Sequence, residues 1–525
     1  MKQTQHNPVW SNLTALARRP LLWVVLTALA ALGYGYAMAV PAVDMDDLAI
    51  ATYQQGGEFL RQGRFTVWLL QALTGIMTYQ RFWPEFFFAL CLVLAGVLLA
   101  ALVYTAAGRQ PSLPGALLLG GGLLLWPYHG EILMYSNQCG VGLGYLLCVL
   151  GACLVWPGMA EGRHRSLPGG AGAAVCLLFA LGLYESFAPV WLTLVFLLLL
   201  VAPLRSLRAG LGMALRGLWP LAAALVLRSG AAAVLRALMG VSGENGSASK
   251  TIFWFRRDSV RDAILIPVRE FLTKYGAEAL AVPALGLLLL ACLALVVWAL
   301  PRRGRRLWAL CLLLSQFSLG LLQGTGSQMA RACQCFAVFV PFVAWLWLGK
   351  ALDNRRSLPL TALCALLAVS LLGTEAWALT DDLRFDRDRW QYEKSILEQT
   401  AADLAALDPT GTVPVVFAGE VELSSELEVR AAIPEGNPAY TAAWVIATAL
   451  DGPQGTLYRY ENPQTLVINW AQTAFGSHEQ LYLLMEELGH GYTRPTAEQQ
   501  AAGDALAETL PAGVTRQDGY LLVCF

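Results

Sequence analysis

Charge is what this sequence has least of. Of its 525 residues only 14% are Asp, Glu, Lys or Arg, against roughly 25% in soluble globular domains. The shortfall excludes an ordinary soluble enzyme. The formal net charge is -1, which excludes a generally basic nucleic-acid binder. Histidine is scarce, and His478 and His490 have no metal-ligand company, so both read as solvated surface residues. No C-x-x-C occurs among the 11 cysteines. Cys333 and Cys335 form a C-x-C, too close for a metal argument, and most of the others lie inside apolar runs as small hydrophobes. The polar C-terminal part has neither a G-x-G-x-x-G nor a P-loop, so it carries no nucleotide fingerprint.

What is present is hydrocarbon. Hydrophobic residues make up 56% of the chain. Read against the roughly 17–25 apolar residues that cross a bilayer, candidate spans fall at 21–40, 84–105, 114–127, 140–156, 171–184, 187–203, 211–227, 280–300, 307–322, 336–348 and 358–379. This pattern predicts a polytopic α-helical membrane protein with about 11 transmembrane helices. Residues 65–79, short and interrupted by Gln71, Thr74 and Thr78, read as an interfacial or re-entrant helix. Arg18-Arg19 ahead of the first run resembles a signal-peptide start, but the run exceeds the usual apolar core of ~7–15 residues. An uncleaved first helix is expected.

Orientation follows from the basic turns. With the N-terminus cytoplasmic, Arg109, Arg163, Arg165, Arg205, Arg208, the Arg302–Arg306 cluster, Lys350, Arg355 and Arg356 all fall inside, as the positive-inside rule requires. The Asp44–Asp47 cluster, His129, Glu131, Asn137, Gln138, Tyr184-Glu185-Ser186 and Arg331 then share the outer face, as does everything beyond about Thr380. Residues 1–379 are expected to form the membrane domain, and 380–525 a small extracytoplasmic α/β domain. Its strands are placed at 414–419, 466–470 and 519–525, and its helices at 390–407 and 479–488.

Three carboxylates within four positions, Asp44, Asp46 and Asp47, follow directly on the first span. Carboxylates beside hydrocarbon are costly unless they face water or a polar cavity. A helix N-cap with acidic first-turn residues accounts for one or two of them. General-base catalysis accounts for them as well: Asp46 or Asp47 takes the proton of an acceptor hydroxyl attacking a sugar carbon, and Asp44 helps to hold the site. Glu185 is either a turn residue or a ligand for sugar hydroxyls. Arg331 either anchors the next helix at the membrane surface or forks onto a lipid phosphate as it leaves. Arg256 and Arg257, beside Trp254 in a long loop, suit a membrane-surface helix or a second phosphate contact.

Asp46-Asp47, Gly63-Arg64, Leu183-Tyr184-Glu185-Ser186-Phe187, Arg331 and the segment 414–419 together resemble the GtrII-type glucosyltransferases, a branch of the GT-C glycosyltransferases. In that family the middle motif is more often Tyr-Gln, so Glu185 departs from the pattern. The resemblance implies a GT-C-like fold in a bacterial plasma membrane. It implies a polyprenyl-phosphate-linked hexose as donor, a surface glycan or glycolipid as acceptor, and neither metal nor cofactor. Asp46 or Asp47 would match the acidic motif of the first outer loop. Arg64, Tyr184, Glu185 and Arg331, which lie in the matching motifs, would contact substrate; Arg256 and Arg257 are added from the reading of their loop alone. A flippase of lipid-linked sugars and a non-catalytic envelope-assembly protein are the rival readings; a flippase would need polar residues deep within its spans.

Overall fold

A computed structural model describes residues 8–525 except 56, 78–81, 162–165, 243–258, 324–328, 355–356, 453–454, 461–463 and 475–476. Arg256 and Arg257 lie outside the described residues. Six described helices are long and apolar enough to cross a membrane: Pro20–Ala39, Phe82–Ala106, Ser136–Glu161, Leu207–Leu238, Phe336–Asp353 and Leu358–Leu407. Ile264–Leu280 and Pro283–Ala299 add a seventh if this pair, bent by 103°, is one span. The remaining apolar runs also become helix, but shorter: Leu113–Leu124, Ser166–Leu183, Phe187–Val201 and Arg306–Gln316 with Ser318–Gln323. A twelve-residue helix such as Leu113–Leu124 rises only about 18 Å. The described residues are therefore those of a helical membrane protein, with six or seven helices long and apolar enough to cross a bilayer.

Phe82–Ala106 is the hub, with 78% of its apolar window buried. Two glycines let its neighbours approach at backbone distance. A Cβ on Gly96 would stand 2.8 Å from Gly120 Cα, and one on Gly142 would stand 2.6 Å from the Phe88 carbonyl oxygen. Small residues at crossings are how helices gain dispersion contacts in lipid, where apolar burial supplies no drive. Phe65–Thr74 has ten residues and ends on Gly75 at φ 59°, so at about 15 Å it is too short to cross. Polar groups do occur within the apolar core. Glu375 is fully buried with neither carboxylate oxygen hydrogen-bonded, and Gln316 donates to Thr193 and Ser315 between two helices.

Leu358–Leu407 runs unbroken for 50 residues, about 75 Å at the α-helical rise. Its first half is apolar and its second half is charged, so the expected boundary at 379/380 falls inside one helix rather than at a linker. Beyond it, β1 (Val415–Ala418), β2 (Gly513–Gln517) and β3 (Tyr520–Cys524) form a sheet ordered β1-β3-β2, β1 parallel and β2 antiparallel to β3. The strand expected at 466–470 is instead the helix Val467–Thr473. Its core residues Val467, Ile468 and Ala471 sit at helical spacing, which a short apolar run does not distinguish from a strand. The Glu393 carboxylate accepts from Ile468 N at 2.9 Å and so satisfies an N-terminal amide. Ala42 and Leu48 of the first loop pack into this same C-terminal core with Trp390, Leu397 and Val467.

Candidate active site

The turns at one end of the bundle converge through hydrogen bonds. Asp44, Asp46 and Asp47 open the helix Met45–Gln55, and each carboxylate has a different role. Asp47 is buried: one oxygen accepts from Asp44 N at 2.9 Å, the other from Ser136 N at 3.0 Å and from the Ser136 hydroxyl. It thus closes the first helical turn, in the manner of a capping residue three positions in, and ties that turn to residue 136. Asp44 is buried against Arg389 Nη2 at 3.2 Å. Asp46 is half-buried and accepts from Asn137 Nδ2 at 2.9 Å.

The cations stand around Asp46. Gly63, at φ 73°, turns the chain so that Arg64 points inward, and its missing side chain leaves room for Arg228. Arg64 lies over the Tyr184 ring, 4.4 Å from its centre. Both Arg64 and Arg228 reach Glu185 at 3.7 Å. Burial pushes the Glu185 carboxyl up, but the two guanidiniums outweigh it and hold the group below the usual carboxylate range. Arg64 Nε is buried without a hydrogen-bond partner, the kind of buried donor that native structures seldom leave idle.

Arg331 is matched by a carboxylate. Its backbone N donates to Glu131 Oε2 at 2.5 Å and its Nη1 to Glu131 Oε1 at 3.0 Å, and it lies 5.0 Å from the centre of the Tyr135 ring. Burial works to lower the Arg331 pKa, but Glu131, Tyr135, Tyr184 and Asp46 reverse this and raise it. Arg64 is raised in the same way, by Glu185, Tyr184 and Asp46 against burial. Asn137 links these groups: it donates to Asp46 and lines one small cavity with Arg64 and Tyr184.

Behind this shell, Arg387 is fully buried between Glu85 Oε1 at 3.0 Å and Asp386, and Arg389 bridges Asp386 at 2.8 Å to Asp44. This network joins the charged half of Leu358–Leu407 to the first loop. Glu131, Asn137, Asp386, Arg387 and Arg389 are absent from the site drawn from sequence. Glu131 carried a signal, a carboxylate just past an apolar run. Asn137 shared that outer-face placement, whereas Asp386, Arg387 and Arg389 reach the site only through the fold. Among the described residues no group of three His, Cys, Asp or Glu side chains is placed to hold a metal ion.

The Glucosyl transferase GtrII family model matches residues 35–347, well over half of the chain. This chain belongs to that family. The match takes in Asp44, Asp46, Asp47, Arg64, Glu131, Glu185 and Arg331, and it supports glucosyl transfer as the activity. The GtrII match stops before the long helix that carries Arg387 and Arg389. No curated protein and no solved structure matches the chain.

Proposed function

We propose that this GtrII-family protein is an integral-membrane hexosyltransferase that moves glucose from a polyprenyl-phosphate donor to a surface glycan or glycolipid. The observation that carries this reading is Asp46 held by Asn137, which lines one small cavity with Arg64, while Arg331 is fixed to Glu131 and Tyr135 just before Asn137; one end of the bundle then offers a carboxylate base and guanidinium phosphate ligands together. Asp46 is the base, because Asp44 and Asp47 are engaged by Arg389 and Ser136 while Asp46 keeps an open side. Asp47 is a positioning residue that fixes the turn.

The acceptor hydroxyl gives its proton to the Asp46 carboxylate as its oxygen attacks the anomeric carbon. The bond from that carbon to the phosphate oxygen breaks, and polyprenyl phosphate leaves with the electron pair. Arg64, through its free Nε, and Arg331 take up the developing charge. Arg228 supports them by sharing Glu185. A single displacement of this kind inverts the anomeric centre. The site then faces outward, with the N-terminus in the cytoplasm of a bacterial cell and the shorter apolar helices completing about eleven spans. The C-terminal part from 380 is an extracytoplasmic domain that closes over the site.

The test is transfer from a labelled polyprenyl-phosphate hexose in membranes carrying Asp46→Asn. Loss of a general base removes roughly 10²–10⁴-fold of rate, and transfer should fall by that factor at an unchanged level of protein. Transfer at the wild-type rate would remove Asp46 from the chemistry.

A further inference from the structure

A cavity of about 510 Å³ lies beside the Asp46 site, in a place that the mechanism above leaves unused. Its volume falls within the roughly 300–1,000 Å³ of small-molecule sites. One wall is the short helix His129–Met134, through Glu131 and Met134. A second is Asp381 and Asp382 of the long helix. The third belongs to the C-terminal part, through Tyr458, Tyr460 and Gln464. From this structure we infer that the cavity is the acceptor subsite and takes a neutral oligosaccharide, an inference that rests on the glycosyl-transfer reading above.

Three observations select that ligand. First, the wall carries four carboxylates, Glu131, Glu278, Asp381 and Asp382, against two cations, Lys274 and Arg459, so cations are not in surplus. Tyr460 donates to Asp381 at 2.7 Å, and Arg430 reaches Asp381 at 3.6 Å. Glu131 is matched by Arg331. An ionised carboxylate only accepts hydrogen bonds, which suits sugar hydroxyls and repels phosphate. By contrast, Arg64 and Arg228 share the single carboxylate of Glu185, which leaves a positive charge for an anionic donor. Second, Tyr458, half-buried, offers a ring for the C–H face of a pyranose, with Gln464 donating to its hydroxyl at 2.7 Å, while Tyr460 is stacked on Phe385 and serves through its hydroxyl.

Third, the cavity is wired to the base. The helix carrying Glu131 and Met134 leads straight into Asn137, which holds Asp46. Thr465, also in the wall, accepts from Arg389 at 3.1 Å, and Arg389 holds Asp44. The walls are in firm contact: a Cβ on Gly130 would stand 1.9 Å from Asp382 Oδ2, so only glycine allows that carboxylate to sit where it does. A sugar bound here would present its hydroxyl toward the loop that carries the base.

The experiment uses the full chain in lipid nanodiscs and two probes. One is a set of neutral tetra- to hexasaccharides of rhamnose, galactose, mannose and N-acetylglucosamine; the other is farnesyl phosphate, as the donor-like anion. Saturation-transfer NMR and titration should show the wild type binding at least one oligosaccharide. Tyr458→Ala and Asp382→Asn should weaken it at least tenfold, and Ala281→Trp, which fills the cavity from the wall formed by residues 281–285, should do the same. Farnesyl phosphate should bind all three variants within twofold of wild type, which also shows that they are folded. The inference is overturned if no oligosaccharide binds the wild type, if the variants bind it equally well, or if they lose farnesyl phosphate instead. Full transfer by Asp46→Asn alongside intact cavity results would sink the chemistry and leave the subsite standing.

Discussion

The two ends of the helical bundle treat arginine in opposite ways. At the end bearing Arg302, Arg303 and Arg306, the guanidiniums are exposed and bond mostly to nearby backbone carbonyls, as Arg306 does to Leu300. The clear ion pair there is Arg109 with Asp353. At the other end Arg64, Arg228, Arg331, Arg387 and Arg389 each meet a carboxylate, and Arg387 does so with no exposure at all. Exposed arginines record which way a chain crosses a membrane. Buried, matched arginines organise chemistry or hold parts together, because removing one partner strands a charge away from water. The same residue type thus reports topology at one end and function at the other, and burial tells the two apart.

The sharpest way to break that comparison is the base. Asp46→Asn should lower transfer by roughly 10²–10⁴-fold, whereas neutralising Arg303 at the opposite end should leave it within twofold, both read in the same membrane assay. Next is the buried network. Arg387→Ala removes the buried guanidinium that Glu85 and Asp386 share, a loss of about 3–5 kcal/mol; the melting temperature in detergent should drop and the yield of folded protein should fall. A normal melting temperature would mean that the network carries little. Third, Arg331→Gln removes a charge-assisted contact worth about 1.5–3 kcal/mol. It should raise the donor KM or lower kcat by about 10- to 150-fold, with acceptor KM little changed.

A pH series separates the ends further. Burial pushes the Glu393 carboxyl up to about 8, with Arg389 opposing. The long helix carries this residue well past its apolar half. The folded protein therefore holds a proton that the unfolded chain releases near its ordinary value of 4.5. Stability from this group is present below that value and is lost as pH rises toward 8. Melting temperature should decline across that window, and Glu393→Gln should flatten the decline; a slope unchanged in the variant would assign it elsewhere. The smallest effect is expected at the basic end. Arg109→Gln breaks a partly exposed pair worth about 0.2–1 kcal/mol while Tyr104 and Ser112 still hold Asp353, a shift of a degree or two in melting temperature that salt should erase.

The positions of the helices were legible because hydropathy is a local property: each of the eleven apolar runs became helix, and 414–419 and 519–525 became strands. The acidic loop, Arg64, Tyr184, Glu185 and Arg331 were legible as polar residues at the ends of apolar runs, where desolvation makes an idle charge expensive. Lengths were less so. Runs such as 114–127 continue into turns around Trp126 and Pro127, and the helix stops short. The segment 466–470 is ambiguous by sequence because its four apolar residues, broken only by Asn469, fit either period.

The sequence by itself determined that this chain lives among lipids, where its helices begin, and which charged residues sit at their mouths, since all of these depend on neighbours along the chain. Only the tertiary structure decided which acid of the first loop stays open, that Arg331 is matched by a carboxylate 200 positions away, and that the C-terminal part shares a core with residues 42 and 48. Such pairings are set by how helices and turns pack in three dimensions, and no local pattern encodes them.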